Sequence, residues 1–403
     1  MAIASTTISS WEQLLEKARQ NTPVRRVKRP GQAPSTTPIP SSLYKLPPER
    51  KPPVLLYRDS NSWCPFCERV WFALEEKQIP FETEFIDLSN KPKWYTDLVP
   101  TTLVPAAKIE GKLVYESKDI LLELEEHFGE TLLPEDPEEN AIARQWVEDA
   151  ETNGFRDIAY KFLRQPPEDA KELANLQAEF EAKLDEIEKT LGRYPKPYFL
   201  STFSLVDIMY SPHLDRLAAN LPVYRGYHIK GNPRFPLINV WFAALKKRPA
   251  YNRVKSDNIT NNLLLRRRFG IEPIGHPLPL DLAEAEFIEY RAEAAERLSD
   301  NREVAISDIL KNSGVQSLGD ISIIKDAVDF HLRLLADYLL NGNNELLPGG
   351  RTGGKESIDP IIAATGTITL AYIRNRICAP RDMSAGAATA LRAAADKVFA
   401  SIY

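Results

Sequence analysis

Between residues 54 and about 129 the spacing of apolar positions changes several times. Val54, Leu55, Leu56 and Tyr57 form a short apolar run that predicts a strand. Over 65–77 the spacing becomes helical, with Val70, Trp71 and Leu74 on one side. Residues 81–87 alternate as a strand does, with Phe81, Thr83, Phe85 and Asp87 on one side. Two runs, 104–109 and 112–115, flank Glu110-Gly111 and predict a hairpin. Residues 117–127 then read as a helix with Ile120, Leu121 and Leu124 inward. Strand, helix, strand, hairpin and helix in this order make an α/β unit with one mixed sheet.

After Leu133-Pro134 the alternation stops, and helical periodicity takes over at 138–164, 168–191, 204–219 and 236–248. Ser204 and Asp207 form a capping signature at the start of the third of these. A proline-rich break at 271–280 is followed by further predicted helices at 282–299, 302–312, 319–341, 357–377 and 384–402. At the other end, Ser10 and Gln13 make a capping box, and Trp11, Leu14, Leu15 and Ala18 share one face of a short helix. Nine prolines between Pro23 and Pro53 then stop any regular element, so 22–53 reads as a linker.

A chain of 403 residues suits two or three domains. Its net charge of −5 gives no general reason to expect nucleic acid as a partner. The local balance differs: residues 1–53 carry nine Lys/Arg against three Glu, densest at Arg25-Arg26-Val27-Lys28-Arg29. That run reads as a solvated arm; the sharper reading is an arm for a phosphate-bearing partner or an anionic lipid surface. No apolar run approaches the roughly 18 residues that span a bilayer. Residues 1–5 lack the charged and apolar regions of a secretory signal, and Glu12 and Glu16 do not suit a plastid transit peptide. Three cysteines are too few for a disulfide scaffold.

Two of those cysteines stand three apart in Asn61-Ser62-Trp63-Cys64-Pro65-Phe66-Cys67, between a predicted strand and a predicted helix. Cys64 opens the helix, where unpaired backbone N–H groups and the helix dipole favour an ionised sulfur. Pro65 suits the first helical position, since its missing N–H would have no partner there. Cys67 lies nearly one turn on and is placed to attack a mixed disulfide on Cys64. A zinc site lacks a second pair or a suitably spaced histidine. Two structural cysteines, or an iron–sulfur centre held across a dimer with glutathione, remain as alternatives.

Cys64-Pro65-Phe66-Cys67 resembles a glutaredoxin active site, and the wider stretch resembles the N-terminal domain of omega-class glutathione transferases. The blocks that carry this are Cys64-Pro65-Phe66, Asn90-Lys91-Pro92-Lys93-Trp94, Val104-Pro105, Tyr115-Glu116-Ser117 and Leu132-Leu133-Pro134. The second cysteine and the long C-terminal extension depart from omega enzymes and are similar to the iota class of photosynthetic organisms, as is Ala379-Pro380-Arg381-Asp382-Met383-Ser384. The resemblance implies that Cys64 is the nucleophile that forms a mixed disulfide with glutathione. It implies a cis-proline at Pro105, with Val104 offering backbone groups to the cysteinyl part of glutathione. Glu116 and Ser117 would hold the γ-glutamyl end, Lys91 the glycyl carboxylate, and Phe66 would pack beside the thiol. In this fold the co-substrate pocket lies between the thiol and the first long helix that follows; Trp146, Phe155 and Tyr160 are its candidates, with Trp63 and Trp94 nearer the thiol.

The expected architecture is a thioredoxin-like α/β domain over 54–129, an all-α glutathione-transferase C-terminal domain over 130–270, and an additional α-helical domain over 271–403, preceded by the helix and linker of 1–53. The expected function is glutathione-dependent thiol–disulfide exchange: deglutathionylation, or reduction of an oxidant such as dehydroascorbate. Glutathione is the co-substrate, no metal is expected, and the partner is a small disulfide, an oxidant or a glutathionylated protein. The reading admits a homodimer and a protein partner for 271–403, and places the chain in the cytoplasm or the plastid stroma. The alternative is a partner- or ligand-binding module with a vestigial or sensory glutathione site. Gly349-Gly350-Arg351-Thr352-Gly353-Gly354-Lys355 imitates a phosphate loop, but Glu356 stands where a magnesium-binding Ser or Thr belongs. Arg266-Arg267-Arg268 reads as a charged helix end, Cys378 as a lone buried thiol, and the five histidines show no metal spacing.

Overall fold

The computed structural model describes residues 8–21, 39–40, 52–61, 63–165, 169–195, 197–276, 278–342 and 359–402. The basic run at 25–29 and the glycine-rich stretch at 349–355 lie outside the described residues. Two compact units result, one within 33–278 and one joining 8–21 to the residues after 278.

The first unit opens on a five-stranded sheet of order β1-β3-β2-β4-β5. Its strands are β1 (Ile39–Pro40), β2 (Val54–Asp59), β3 (Phe81–Ile86), β4 (Ala106–Ile109) and β5 (Lys112–Tyr115). β2 and β3 run parallel, with Val54 opposite Phe81, and the other pairs are antiparallel. β1 corrects the reading of 22–53 as linker throughout: Ile39 and Pro40 pair with Thr83 and Glu82. Pro40 is tolerated because β1 is an edge. The hairpin turns at Glu110 and Gly111, both at positive φ (49° and 91°), which suits a glycine at the second position.

Alternation along the strands sorts two layers. Val54, Leu56, Phe81, Ala107, Ile109 and Val114 pack on one face, against α2 (Pro65–Glu76) and α4 (Ser117–His127). Tyr57, Ile86 and Ala106 point the other way, where Tyr95 and Val99 cover them from α3 (Lys93–Leu98) and the residue after it. This α/β layer is thioredoxin-like. Phe85 is half-buried, with the Arg58 guanidinium 4.7 Å from its ring.

Helices complete the unit: α5 (Pro137–Asp149), α6 (Phe155–Arg164), α7 (Ala170–Leu191), α8 (Leu205–Arg225), α9 (Pro236–Leu245), α10 (Pro249–Val254) and α11 (Asn258–Phe269). The helix expected over 138–164 is two, because Gly154 at φ 77° caps the start of α6. α8 runs past 219 despite prolines at 212 and 222. Pro212 has no N–H for the Ile208 carbonyl, which instead accepts from the Ser211 hydroxyl at 3.5 Å. The helix is nearly all buried, so packing overrides the prolines' local penalty.

The second unit is helical among the described residues: α1 (Trp11–Gln20), α12 (Leu282–Ala285), α13 (Ile288–Asp300), α14 (Arg302–Asn312), α15 (Ile321–Asn341), α16 (Pro360–Arg376) and α17 (Ala385–Ile402). The capping box of Ser10 and Gln13 is present, and Trp11, Leu14 and Ala18 are buried, while Leu15 is half-buried. α1 belongs to this unit rather than standing alone. Its Trp11 indole donates to Asp329 at 2.7 Å, and Trp11, Leu14 and Ala18 enter the same core as Leu298 and Leu335. Gly366 is required where α16 meets α15, since a Cβ there would lie 2.2 Å from the His331 ring. No helix of the described residues is long and apolar enough to cross a membrane.

Candidate functional site

The strand-to-helix turn after β2 places Cys64 at the N-cap of α2, with Pro65 at the first helical position. No side chain caps this end, and the Cys64 side chain itself accepts no hydrogen bond from the first-turn amides. The Cys64 sulfur lies 3.7 Å from the Val104 carbonyl oxygen, and the Val104–Pro105 peptide is cis. Cys64 and Cys67 are free and buried, at 8 % and 2 % exposure. Burial first, then the adjacent Cys64 sulfur, push the Cys67 thiol well above its ordinary pKa. The pair is therefore asymmetric: one sulfur at the helix opening, the other held protonated behind it.

Buried charge surrounds this turn. Asp59, at the end of β2, accepts the Trp63 N–H at 2.6 Å and so ties the loop before Cys64 to the sheet. Burial raises its pKa. Arg69 of α2 donates to the Met209 carbonyl at 3.0 Å and pairs with Glu151. Arg216 of α8 donates to the Trp63 carbonyl (2.9 Å), the Pro212 carbonyl (2.7 Å) and Glu68 of α2 (2.8 Å). Both guanidiniums interact electrostatically with the Cys64 sulfur.

Glu68 is a buried carboxylate whose pKa burial raises from 4.5 to about 7, against the pull of Arg216. The folded protein thus keeps a proton on Glu68 over a range where the unfolded chain has lost it. This contribution to stability is complete below about pH 4.5 and is lost as pH rises through 7, at up to about 1 kcal/mol per pH unit. Glu68→Gln is expected to flatten that slope. Urea midpoints of both proteins at pH 5.5 and pH 8 test it, and an unchanged wild-type slope in the variant refutes it.

The structure gives the other residues singled out from sequence the following local settings. Lys91, half-buried, donates to the Thr102 carbonyl at 2.8 Å, which leaves two ammonium donors. Glu116 is exposed and takes φ 69° at the N-cap of α4, and Ser117 is buried in the first turn. A glutamate at positive φ is a strained backbone position. Phe66 meets the His213 ring edge-on at 5.5 Å, and the Arg69 guanidinium lies 5.1 Å from its ring.

A cavity of about 740 Å³ is bounded by Trp63 and Pro65, the two neighbours of Cys64, by Phe66, and across from them by α6 and the end of α11. Tyr160, one of the three aromatic candidates, lines it. Trp146 of α5 and Phe155 of α6 do not: they line a separate cavity of about 210 Å³ with Phe199 and Tyr210. Trp94 sits against Tyr57 at 6.0 Å. The sequence reading missed His213, Lys161, Arg164 and Phe269 of the larger cavity and the clamp made by Arg216. Only the helical spacing of Tyr160, Lys161 and Arg164 signalled any of them.

Comparison with known proteins adds the following. Residues 63–127 match the N-terminal domain, and residues 170–244 the C-terminal domain, of glutathione S-transferases. The chain is 35% identical over 200 residues to protein IN2-1 homolog A of Oryza sativa subsp. japonica, covering 48% of this chain and 78% of that protein. It is 30% identical over 201 residues to glutathione S-transferase L1 of Arabidopsis thaliana, covering 48% and 79%. It is also 30% identical over 207 residues to glutathione S-transferase omega-1 of Sus scrofa, covering 51% and 82%.

Proposed function

The chain belongs to the glutathione S-transferase family, and we propose that it is a glutathione-dependent thiol–disulfide oxidoreductase with Cys64 as nucleophile. One observation carries this reading. The Cys64 sulfur sits at an uncapped helix N-terminus, 3.7 Å from the Val104 carbonyl, with Cys67 behind it. A hydroxyl at the N-cap would suit conjugation, in which the protein steadies a glutathione thiolate. A thiol there is itself captured by disulfides.

In the proposed complex, Val104 offers its backbone to the cysteinyl part of glutathione, beside the cis Pro105. Glu116, exposed and strained, takes the ammonium, and the buried Ser117 at the start of α4 takes the α-carboxylate. Lys91 turns its remaining donors to the glycyl carboxylate, and Phe66 forms the wall beside the thiol. The Cys64 thiolate attacks the glutathionyl sulfur of a mixed disulfide, and the partner leaves as a thiolate. A second glutathione then attacks glutathionylated Cys64 and departs as oxidised glutathione, or Cys67 closes onto Cys64 and releases glutathione.

The second cysteine and the helical unit support placing the chain near the iota class. The division at 129/130 and 270/271 is carried forward as part of this reading, as are the reducing compartment, cytoplasm or plastid stroma, and the small disulfide, oxidant or glutathionylated-protein substrate. Intact-mass and peptide mass spectrometry after incubation with oxidised glutathione tests it. The expected product carries one glutathionyl group on Cys64 or a Cys64–Cys67 disulfide. Modification of Cys378 alone, or none, defeats the assignment.

A further inference from the structure

Tyr160 and the cavity it lines have chemistry that the nucleophile alone does not use. The Tyr160 hydroxyl has no hydrogen-bond partner among the described residues and interacts electrostatically with Cys64 on one side and with Arg164, Arg216 and Arg69 on the others. Burial raises its pKa, so it stays a phenol able to donate. One residue and one turn further along α6, Lys161 and Arg164 are exposed and pair with no carboxylate among the described residues. Arg156 is different: Glu151 and Asp157 neutralise it. Asp157 and Glu172 are the carboxylates that line the cavity with Lys161 and Arg164.

The rest of the cavity is aromatic. Phe269 lies 6.1 Å from Trp63, under the Arg164 guanidinium at 4.2 Å, and Tyr160 lies 6.0 Å from the buried His213 ring. Both His213 nitrogens are buried without a partner. A cavity of about 740 Å³ walled by rings is wide enough for an aromatic group. Lys161 and Arg164, which have no carboxylate partner among the described residues, and the Tyr160 phenol favour a ligand that carries negative charge.

We propose that this cavity receives the group that leaves when Cys64 is glutathionylated, and that it selects an aromatic thiol bearing a carboxylate. This rests on the reading of Cys64 as nucleophile. The Cys64 thiolate attacks the glutathionyl sulfur of a glutathione–arylthiol disulfide. The new Cys64–glutathione S–S bond forms as the old S–S bond breaks, and the electron pair departs on the aryl sulfur. Tyr160 donates a hydrogen bond to that arylthiolate, while Lys161 and Arg164 meet the ring's carboxylate. Glutathione, already the co-substrate, reduces glutathionylated Cys64, so no further reductant is needed. Tyr160 is a positioning donor for the leaving sulfur, and Lys161 and Arg164 set specificity.

The test compares two probes of equal shape: the glutathione mixed disulfides of 4-mercaptobenzoate and of 4-mercaptobenzamide. Each enzymatic kcat/KM is divided by the uncatalysed rate with glutathione, which removes the difference in leaving-group acidity. The full-length protein is expected to prefer the carboxylate about tenfold, the effect of one charge-assisted contact. Lys161→Gln with Arg164→Gln, at two exposed positions, should bring that ratio close to one. Tyr160→Phe should slow both substrates alike. A wild-type ratio of one or less, with both probes turned over, overturns the proposal and leaves Cys64 untouched. So does failure on both probes by protein whose Cys64 takes a glutathionyl group in the mass measurement. Failure on both without that adduct rejects the nucleophile itself.

Discussion

Cys64→Ser is expected to lower glutathione-dependent disulfide reduction by at least about a thousandfold, because the mixed disulfide that carries the reaction forms on that sulfur. The loss will not come from unfolding. Serine is a preferred N-cap, and this helix end has no side-chain cap, so the variant's hydroxyl gains a backbone partner and thermal stability should hold or rise by about 1 kcal/mol. Cys67→Ser is expected to behave in the opposite way. Its sulfur is buried and kept protonated, so it does not start the reaction, and glutathione at saturating concentration still resets Cys64. A part of the rate therefore survives, while a buried hydroxyl in place of the thiol lowers stability by about 1–2 kcal/mol. Steady-state rates beside melting curves for the three proteins decide the matter. A Cys64→Ser enzyme within tenfold of wild type removes the nucleophile from the mechanism.

The contrast between Cys64 and Cys67 could be read from order alone, since it needs only a strand, a turn, a proline and a helix. The same holds for the hairpin at Glu110-Gly111 and the capping boxes at Ser10 and Ser204, which are local. What stayed hidden depends on distant partners. β1 exists because Ile39 and Pro40 find a free edge of β3, which no local propensity announces. α1 looked solitary from its position, yet its Trp11 meets Asp329 across 318 residues of chain. α3 is six residues long, too short for periodicity to register, and is held by Tyr95 and Val99 against the sheet. The cavity walls are hidden for the same reason: Trp63, Tyr160, His213 and Phe269 come from four separate segments. Trp146 and Phe155 misled because one long helix was expected where Gly154 starts another.

Arg216→Met is the substitution expected to cost the most stability, about 3–5 kcal/mol, although the residue touches neither sulfur through a hydrogen bond. Its guanidinium is 2 % exposed and holds the Trp63 carbonyl, the Pro212 carbonyl and Glu68 at once. Methionine fills much of the space but leaves Glu68 buried without its cation and frees the Trp63 carbonyl of the turn that carries Cys64. The sign of the pH response follows from Glu68. With Arg216 gone, burial acts on that carboxyl unopposed, so the variant avoids the penalty by binding a proton. Its deficit against wild type should thus be smaller at pH 6 than at pH 8. Glu68→Leu combined with Arg216→Met removes both charges and should recover most of the loss, as apolar replacement of a buried pair commonly does. Activity separates the two roles of the arginine. The double variant regains stability through the core, but it cannot restore the bond to Trp63, so its turnover at Cys64 stays below wild type while its melting temperature approaches it. A double variant that recovers both in full reduces Arg216 to a neutraliser of Glu68 and ends its role in positioning the cysteine turn.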